Sequence, residues 1–532
     1  MPGLLELIRE WIFGYPARPA RLLSMVGIEV HWLILQYVLG LPLLAVVAEA
    51  VWMRSGDERW KRLSRTLTKG FVAVFAVGAA TGTAAEFGLI LLWPNLIELA
   101  GRYIYFPLYM EIFAFIMECV FVYLYFFAEG RLSRRAHLLV GVLVVLGAWY
   151  SASMILSVNS FMQSPTIVAA NYDPLTGSWA PPEVILQVPS QIAQALDVDK
   201  LAASGAQVLG THGDRVAISF PAGLVRALVA VAFAGRTVNE SVLVAIARPE
   251  AAQILAEVPL KKIIDPMLET TVLSAGVYAI AFKSGGYLAT LLHAIGAGVT
   301  VSAFTTMGAY SLRLLTCREG DPDKGYYSLA LRYATTVSLI AILIQGLGFG
   351  HAMGVAVARH NPEKIAAMEG TGSQITSVPQ LIGLDGLIHR RLIPLLAYGS
   401  TRAKIPSYDA INPAYRPPLI IHYMYYAKLG LAALMGLAAL GMARHTLRRE
   451  VPPTWLLKLS SVSPAIAQAT SFLGWGVREA GRKPWAIYGV MDVQTELTMN
   501  PPPAWQLAGV AIYLALMLAL LCLVVHRYVW RR

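Results

Sequence analysis

Five ionisable side chains interrupt long apolar runs, and their types define the chemistry open to the chain: His31, Glu111, Glu118, His293 and His422. A neutral imidazole in a dry layer offers its lone pair to a metal or a haem iron, and a carboxylate beside it can ligate or hold a proton. Burying such groups in hydrocarbon is expensive, so each is a functional hypothesis. On residue type alone the alternatives stay open. A histidine inside a helical bundle also serves as a hydrogen-bonded helix contact. Glu111 and Glu118, about two turns apart on roughly one helix face, suit a proton relay or a transporter's substrate site as well as a redox centre.

The elements that must position these groups follow from hydropathy. Of 532 residues, 56% are hydrophobic and only 14% charged. That is too little charge to cover a soluble protein of this size, so the bilayer is the natural solvent. A span needs about 20 apolar residues. Nine such runs occur, at 24–53, 70–93, 104–127, 136–161, 285–315, 327–349, 417–443, 456–477 and 504–528. The fold class is therefore an all-α integral membrane protein, a nine-span helical bundle of the cytoplasmic membrane.

Basic residues concentrate after the odd-numbered spans, among them Arg59, Lys61, Arg62 and Arg65, then Arg131, Arg134 and Arg135, then Arg444, Arg448 and Arg449. The positive-inside rule then places the N-terminus outside and the C-terminus inside. The same rule accounts for the net charge of +11 with no call on nucleic acid. Cys119, Cys317 and Cys522 imply neither a disulfide framework nor a CxxC metal site. The N-terminus, with Glu6, Arg9 and Glu10 among apolar residues, lacks a signal-peptide pattern and reads as a short amphipathic helix on the membrane surface. Counted in at about 1.5 Å per residue, His31, Glu111, His293 and His422 share one layer in the outer third of the bilayer.

Five segments result. Residues 1–165 hold the amphipathic helix and spans one to four, and 166–284 form a small α+β extracytoplasmic insertion. Residues 285–349 hold spans five and six, 350–416 a polar outer loop with a helical piece near Pro362–Glu369, and 417–532 the last three spans. The apolar stretch Ala217–Gly235 is read as a buried or interfacial helix, because a tenth span would invert the charge pattern downstream.

The local motifs resemble cytochrome bd oxidase subunit I in order along nearly the whole chain. Arg21 precedes His31, and Lys69 precedes Gly78-Ala79-Ala80-Thr81-Gly82 and Glu86-Phe87-Gly88. Met110-Glu111 and Met117-Glu118 follow, then Ser151-Ala152, Asn159, Met162-Gln163 and Pro165. The outer loop reads Gly350-His351 and then Asn361 through Glu369, and Gly481-Arg482-Lys483-Pro484-Trp485 is similar to the GRQPW signature. The resemblance implies that His31 is the axial ligand of a high-spin haem, haem d or another, with Glu111 its partner. It implies a proton-delivery role for Glu118, low-spin haem b ligation by His293, haem-pocket contact by Arg482, and a quinol-positioning and proton-accepting pair in Lys364 and Glu369.

Two departures stand out. Where the family's low-spin haem has a Met ligand, this chain aligns Tyr426. Met424, about 200° round the helix, does not simply substitute and enters only as a haem-pocket residue. His422, one turn from Tyr426 on its own face, is the expected replacement and would give bis-His ligation. The family's Glu ligand of a second high-spin haem b aligns with Phe472, which cannot ligate iron.

The implied activity is oxidation of quinol on the outer side and reduction of O2 to water, with protons drawn from the cytoplasm. The implied partners are a second membrane subunit and a small accessory subunit. A divergent non-oxidase partner subunit keeping one or two haems is the main alternative, ahead of an oxidase fed by another donor. A transporter ranks last, because no inverted repeat is visible.

Overall fold

The computed structural model describes residues 6, 19–235, 237, 243–275, 281–493 and 503–525. The amphipathic helix expected at the N-terminus, and the basic tail at Arg527, Arg531 and Arg532, lie outside these residues. Four long helices open the chain: α1 (Pro19–Ser55), α2 (Glu58–Leu92), α3 (Pro94–Phe127) and α4 (Arg134–Gln163). After the mixed segment come α5 (Tyr287–Thr316) and α6 (Lys324–Leu343), which runs through a π-helical stretch, Ile344–Gly350, into α7 (His351–His360). Thus the outer loop expected from residue 350 begins as helix. Then follow the eight-residue α8 (Pro362–Glu369), α9 (Ile420–Thr446), α10 (Thr454–Ser461), α11 (Ser463–Ala480) and the apolar α12 (Ala504–Val525).

Among the described residues seven helices are long and apolar enough to cross a membrane: α1 to α4, α5, the α6–α7 rod and α9. The run expected as an unbroken eighth span is instead two helices meeting at Val462. Pro464 explains the break: it has no N–H to donate and it disfavours helical geometry at the residue before it. The break leaves Pro464 against Gly308 of α5.

Small residues set the tightest crossing. A Cβ added to Gly40 of α1 would meet the main-chain oxygen of Gly298 on α5, and one on Gly298 would meet Leu39. Close backbone approach of this kind is how spans associate where lipid removes the hydrophobic drive. One core cluster, with Leu44, Phe71, Tyr125, Phe304 and Met435, joins α1 to α6 with α9.

Between α4 and α5 lies a four-stranded antiparallel sheet, order β1-β2-β4-β3, from β1 (Val168–Asp173), β2 (Ser178–Pro189), β3 (Gln207–His212) and β4 (Arg215–Pro221). Val184, Leu186 and Val188 alternate inward along β2, the period-two pattern of a strand with one covered face. Gly213, at φ 62°, takes the left-handed position in the β3–β4 turn. The stretch weighed as a tenth span is β4 followed by a 12-residue helix, Ala222–Phe233, whose buried residues join the core under the sheet.

Candidate functional site

His31 is positioned by α2. Its Nδ1 lies 3.1 Å from Thr81 Oγ1, and that hydroxyl donates to the main-chain oxygens of Val77 and Gly78. With its one proton so committed, the hydroxyl accepts from Nδ1–H, and the lone pair falls on Nε2. A histidine that ligates metal is oriented by a second hydrogen bond of this type. A Cβ on Gly82 would stand 2.9 Å from His31 Cε1, so a residue without a side chain is needed beside the ring. Among the described residues no three His, Cys, Asp or Glu side chains converge on a point. Single imidazoles suit an iron whose four equatorial nitrogens come with a porphyrin. Buried polar atoms without protein partners, Glu29 Oε2, Glu118 Oε1, Gln468 Oε1 and Trp475 Nε1, are the kind of orphaned donors and acceptors that a bound group satisfies.

The carboxylates expected beside His31 form a ladder. Ser151 Oγ donates to Glu111 Oε1 at 3.1 Å. Glu118 is buried, packs against Gly147 of α4, and with Glu86 of α2 lies within electrostatic reach of Glu111. Sequence had placed Glu86 only as a motif letter, not as part of this acidic group.

His293, on α5, faces the π-helical stretch: Gln345 Nε2 reaches its ring Nδ1 at 3.1 Å and its main-chain oxygen at 2.9 Å. The π geometry puts Gln345 there, and such stretches concentrate at functional sites. Ligation through Nε2 calls for the Gln345 carbonyl, not its amino group, to face Nδ1. His422, the expected second ligand of the low-spin haem, lies against main chain on both ring nitrogens. Its Nδ1 contacts Met368 O at 2.8 Å, and its Nε2 accepts the Val378 N–H at 2.9 Å. With both nitrogens on main chain, the ring fastens the outer loop to α9. Met424 is buried and packs against Gly476 of α11.

The helix carrying Lys364 and Glu369 is buried along its whole length. The two side chains serve different networks. Lys364 Nζ donates to Arg478 O at 2.9 Å and Gln163 Oε1 at 3.3 Å. Burial, reinforced by the Arg478 charge, holds its ammonium well below the usual lysine range. Glu369 Oε2 accepts from Tyr426 OH at 2.7 Å and lies 3.3 Å from His389 Nε2. The Tyr426 found at the expected Met position therefore holds Glu369.

On the same helix Glu363 accepts from Tyr488 OH at 2.8 and 3.0 Å, and burial pushes its carboxyl up to about 7. Raised above its ordinary value, it favours folding most below about pH 4.5 and loses that contribution as pH climbs toward about 7. A Glu363→Gln variant stays neutral throughout. Its unfolding temperature, compared with wild type between pH 5 and pH 8, is expected to stand progressively higher as pH rises.

α11 carries one carboxylate, and it is not at the expected position. Phe472 is 36% exposed, whereas Glu479, two turns on, points inward to Asn159 Nδ2 at 2.8 Å and Arg482 NH2 at 2.7 Å. Arg482 also donates to Ala486 O at 2.6 Å. Beside it Arg478 bonds Asn159, Thr290 and Ser160. Sequence reasoning passed over Glu479, Arg478, Lys428 and Glu29, although each is a charge interrupting a span or ending one. Lys428 and Arg478 both lie within electrostatic reach of His293.

Comparison with known proteins places these features in one family. The family model "Cytochrome bd terminal oxidase subunit I" matches residues 20–198 and 269–532; the unmatched stretch contains β3, β4 and the 12-residue helix after them. A Bacillus subtilis protein named as a cytochrome bd menaquinol oxidase subunit I is 23% identical over 471 residues, 86% of this chain and 84% of that one. The cytochrome bd-II ubiquinol oxidase subunit 1 of Escherichia coli is 37% identical over 144 residues, 27% of this chain and 28% of that one. The bd oxidase structure from Geobacillus thermodenitrificans shares the fold, with a TM-score of 0.66 at 21% identity over 96% of this chain and 97% of that one.

Proposed function

The chain belongs to the cytochrome bd terminal oxidase subunit I family, and on that premise we propose that it is the haem-bearing subunit of a membrane quinol:oxygen oxidoreductase. The observation that carries the proposal is His31, whose Nδ1 is committed to Thr81 and whose Nε2 lone pair is thereby set for an iron. Haem supplies the electron transfer and the oxygen chemistry when bound. The residues assigned to hold it are His31 with Glu111 for a high-spin haem, and His293 for low-spin haem b.

Glu479 is the carboxylate that α11 offers in place of Phe472 for a second high-spin haem. A carboxylate has about four lone-pair sites, so its bonds to Asn159 and Arg482 leave capacity for iron. Arg482 and Met424 complete the pocket walls.

In this reading α10–α11 and α12 are the eighth and ninth spans, the N-terminus is outside, and the sheet segment is extracytoplasmic. Quinol binds on the outer side near Lys364 and Glu369. Lys364, kept low in proton affinity by burial, donates hydrogen bonds to a quinol oxygen without fixing a full charge beside it. Glu369 takes the proton released. Glu118 and Ser151 hand cytoplasmic protons outward to Glu111. A second membrane subunit pairs with this one, and the family resemblance adds a small accessory subunit as a third component.

The engaged His422 ring favours one competing reading, a partner subunit that keeps the fold and one or two haems without oxidase activity. A dithionite-reduced minus oxidised spectrum of the purified complex, with haem extraction, separates the two. Chlorin together with b-type haem, and oxygen uptake on adding quinol, are expected. Low-spin haem b alone, with no CO-binding centre, would reject the oxidase.

A further inference from the structure

Next to Glu369 lies a group that neither the sequence reading nor the family resemblance assigned. His389 sits on a π-helical turn, Ile388–Leu392, that follows the short helix Asp385–Leu387 in the outer loop. Its Nδ1 is 2.8 Å from Asp385 Oδ1, and its Nε2 is 3.3 Å from Glu369 Oε2. That second separation is within ion-pair range but out of line for a hydrogen bond, and the buried Nε2 has no hydrogen-bond partner. Side-chain exposure rises along the series, 2% at Glu369, 9% at His389 and 36% at Asp385. On the inner side Tyr426 OH donates to the same Glu369 oxygen.

We propose that His389, oriented by Asp385, is the relay that carries substrate protons from Glu369 to the outer aqueous surface. The inference rests on the reading that quinol is oxidised beside Glu369. Each quinol gives up two electrons and two protons as it becomes quinone. The two electrons would leave one at a time to the low-spin haem b that His293 is assigned to hold, which passes each on before taking the next. Each proton passes from a quinol hydroxyl to Glu369 and then to His389 Nε2. The imidazolium then releases the proton on Nδ1 to Asp385, which gives it to water, and the ring regains its first tautomer by exchange.

An imidazole is suited to the task because it accepts on one nitrogen while donating from the other. Burial lowers the proton affinity of His389, but the carboxylates of Glu369 and Asp385 outweigh it and the net displacement is upward. The other charged and titratable groups at this cluster include Arg390 and Arg391 on the same turn and Tyr425, Tyr426 and His422 on α9.

The test uses the purified complex with a water-soluble quinol, reading steady-state oxygen uptake from pH 5.5 to 9. His389 must be neutral to accept, so the wild-type rate rises with pH along a limb centred above the usual histidine value of about 6.5. His389→Gln is expected to lose about 100-fold in turnover, the lower end of what a positioned acid–base group supplies, and to lose that limb. Asp385→Asn, at a partly exposed site that leaves packing intact, removes the carboxylate that raises His389 and moves the limb to lower pH. Unchanged dithionite-reduced spectra establish that both variants keep their haems. A merely structural role would lower the rate and leave the limb in place, which overturns the proposal, as does a wild-type profile in both variants. A wild-type complex that oxidises no quinol overturns the parent reading and this one together.

Discussion

A His31→Ala variant is expected to lose the high-spin, CO-binding haem and all oxygen reduction, while low-spin haem b stays reducible by dithionite. A hydroxyl of α2 holds the ring through Nδ1, and His422 is bound to the outer loop through both nitrogens. Thr81→Val removes only the hydroxyl that fixes the tautomer. Second-shell losses of this kind cost about 10–100-fold in metal affinity, so haem content should fall only partly on dilution or washing. Gly82→Ala acts from the other side, because its methyl would stand 2.9 Å from the ring and force it to turn. A spectrum that is wild-type in His31→Ala would remove the ligand assignment outright.

How much of this was legible in the sequence differs by element, for physical reasons. The long apolar helices were readable because hydrocarbon admits few charges, so composition alone marks them. The α+β character of the insertion is legible in the sequence, but the order of its strands, with β4 between β2 and β3, is not. The break at Val462 was signalled by Pro464 but hidden inside an apolar run. The helical piece at Pro362–Glu369 is legible in the sequence, whereas the separate hydrogen-bond networks that hold Lys364 and Glu369 are set by other elements.

His422 shows the limit most plainly. Helix periodicity put it on the Tyr426 face, and the two rings do lie 4.9 Å apart. What periodicity cannot supply is the loop, more than forty residues away in sequence, that bonds both its nitrogens. The Asp385–His389–Glu369 series is illegible for the same reason, since its members come from a loop turn and a buried helix brought together only by folding. Glu479 was missed for a simpler one: residue-by-residue alignment pointed to Phe472, whereas the inward-facing carboxylate on the same helix is two turns further on.

Replacing Arg478 by leucine is expected to be the most destabilising single change in the chain, costing about 3–5 kcal/mol, the range for removing one partner of a buried charge network. Arg478 is only 8% exposed. Its guanidinium fans out to Asn159 Oδ1 at 2.6 Å, Thr290 Oγ1 at 3.1 Å and Ser160 Oγ at 3.4 Å, so it ties α11 to α4 and α5 at once. One effect opposes the loss: Arg478 adds to the electrostatic burden on Lys364, and its removal relieves that. The relief is smaller than the loss, because Lys364 keeps its bond to the main-chain oxygen of residue 478 in either case, while three polar side chains lose their donor in a dry interior. Arg478→Lys should not rescue, since an ammonium cannot reproduce three donors spread over a planar fork. The unfolding temperature of the detergent-solubilised complex reads the effect. Because Arg478 also lies within electrostatic reach of His293, the low-spin haem signal should weaken or shift in the same variants. A lysine variant with wild-type stability and spectrum would show that charge alone, not the geometry of the fork, joins the three helices.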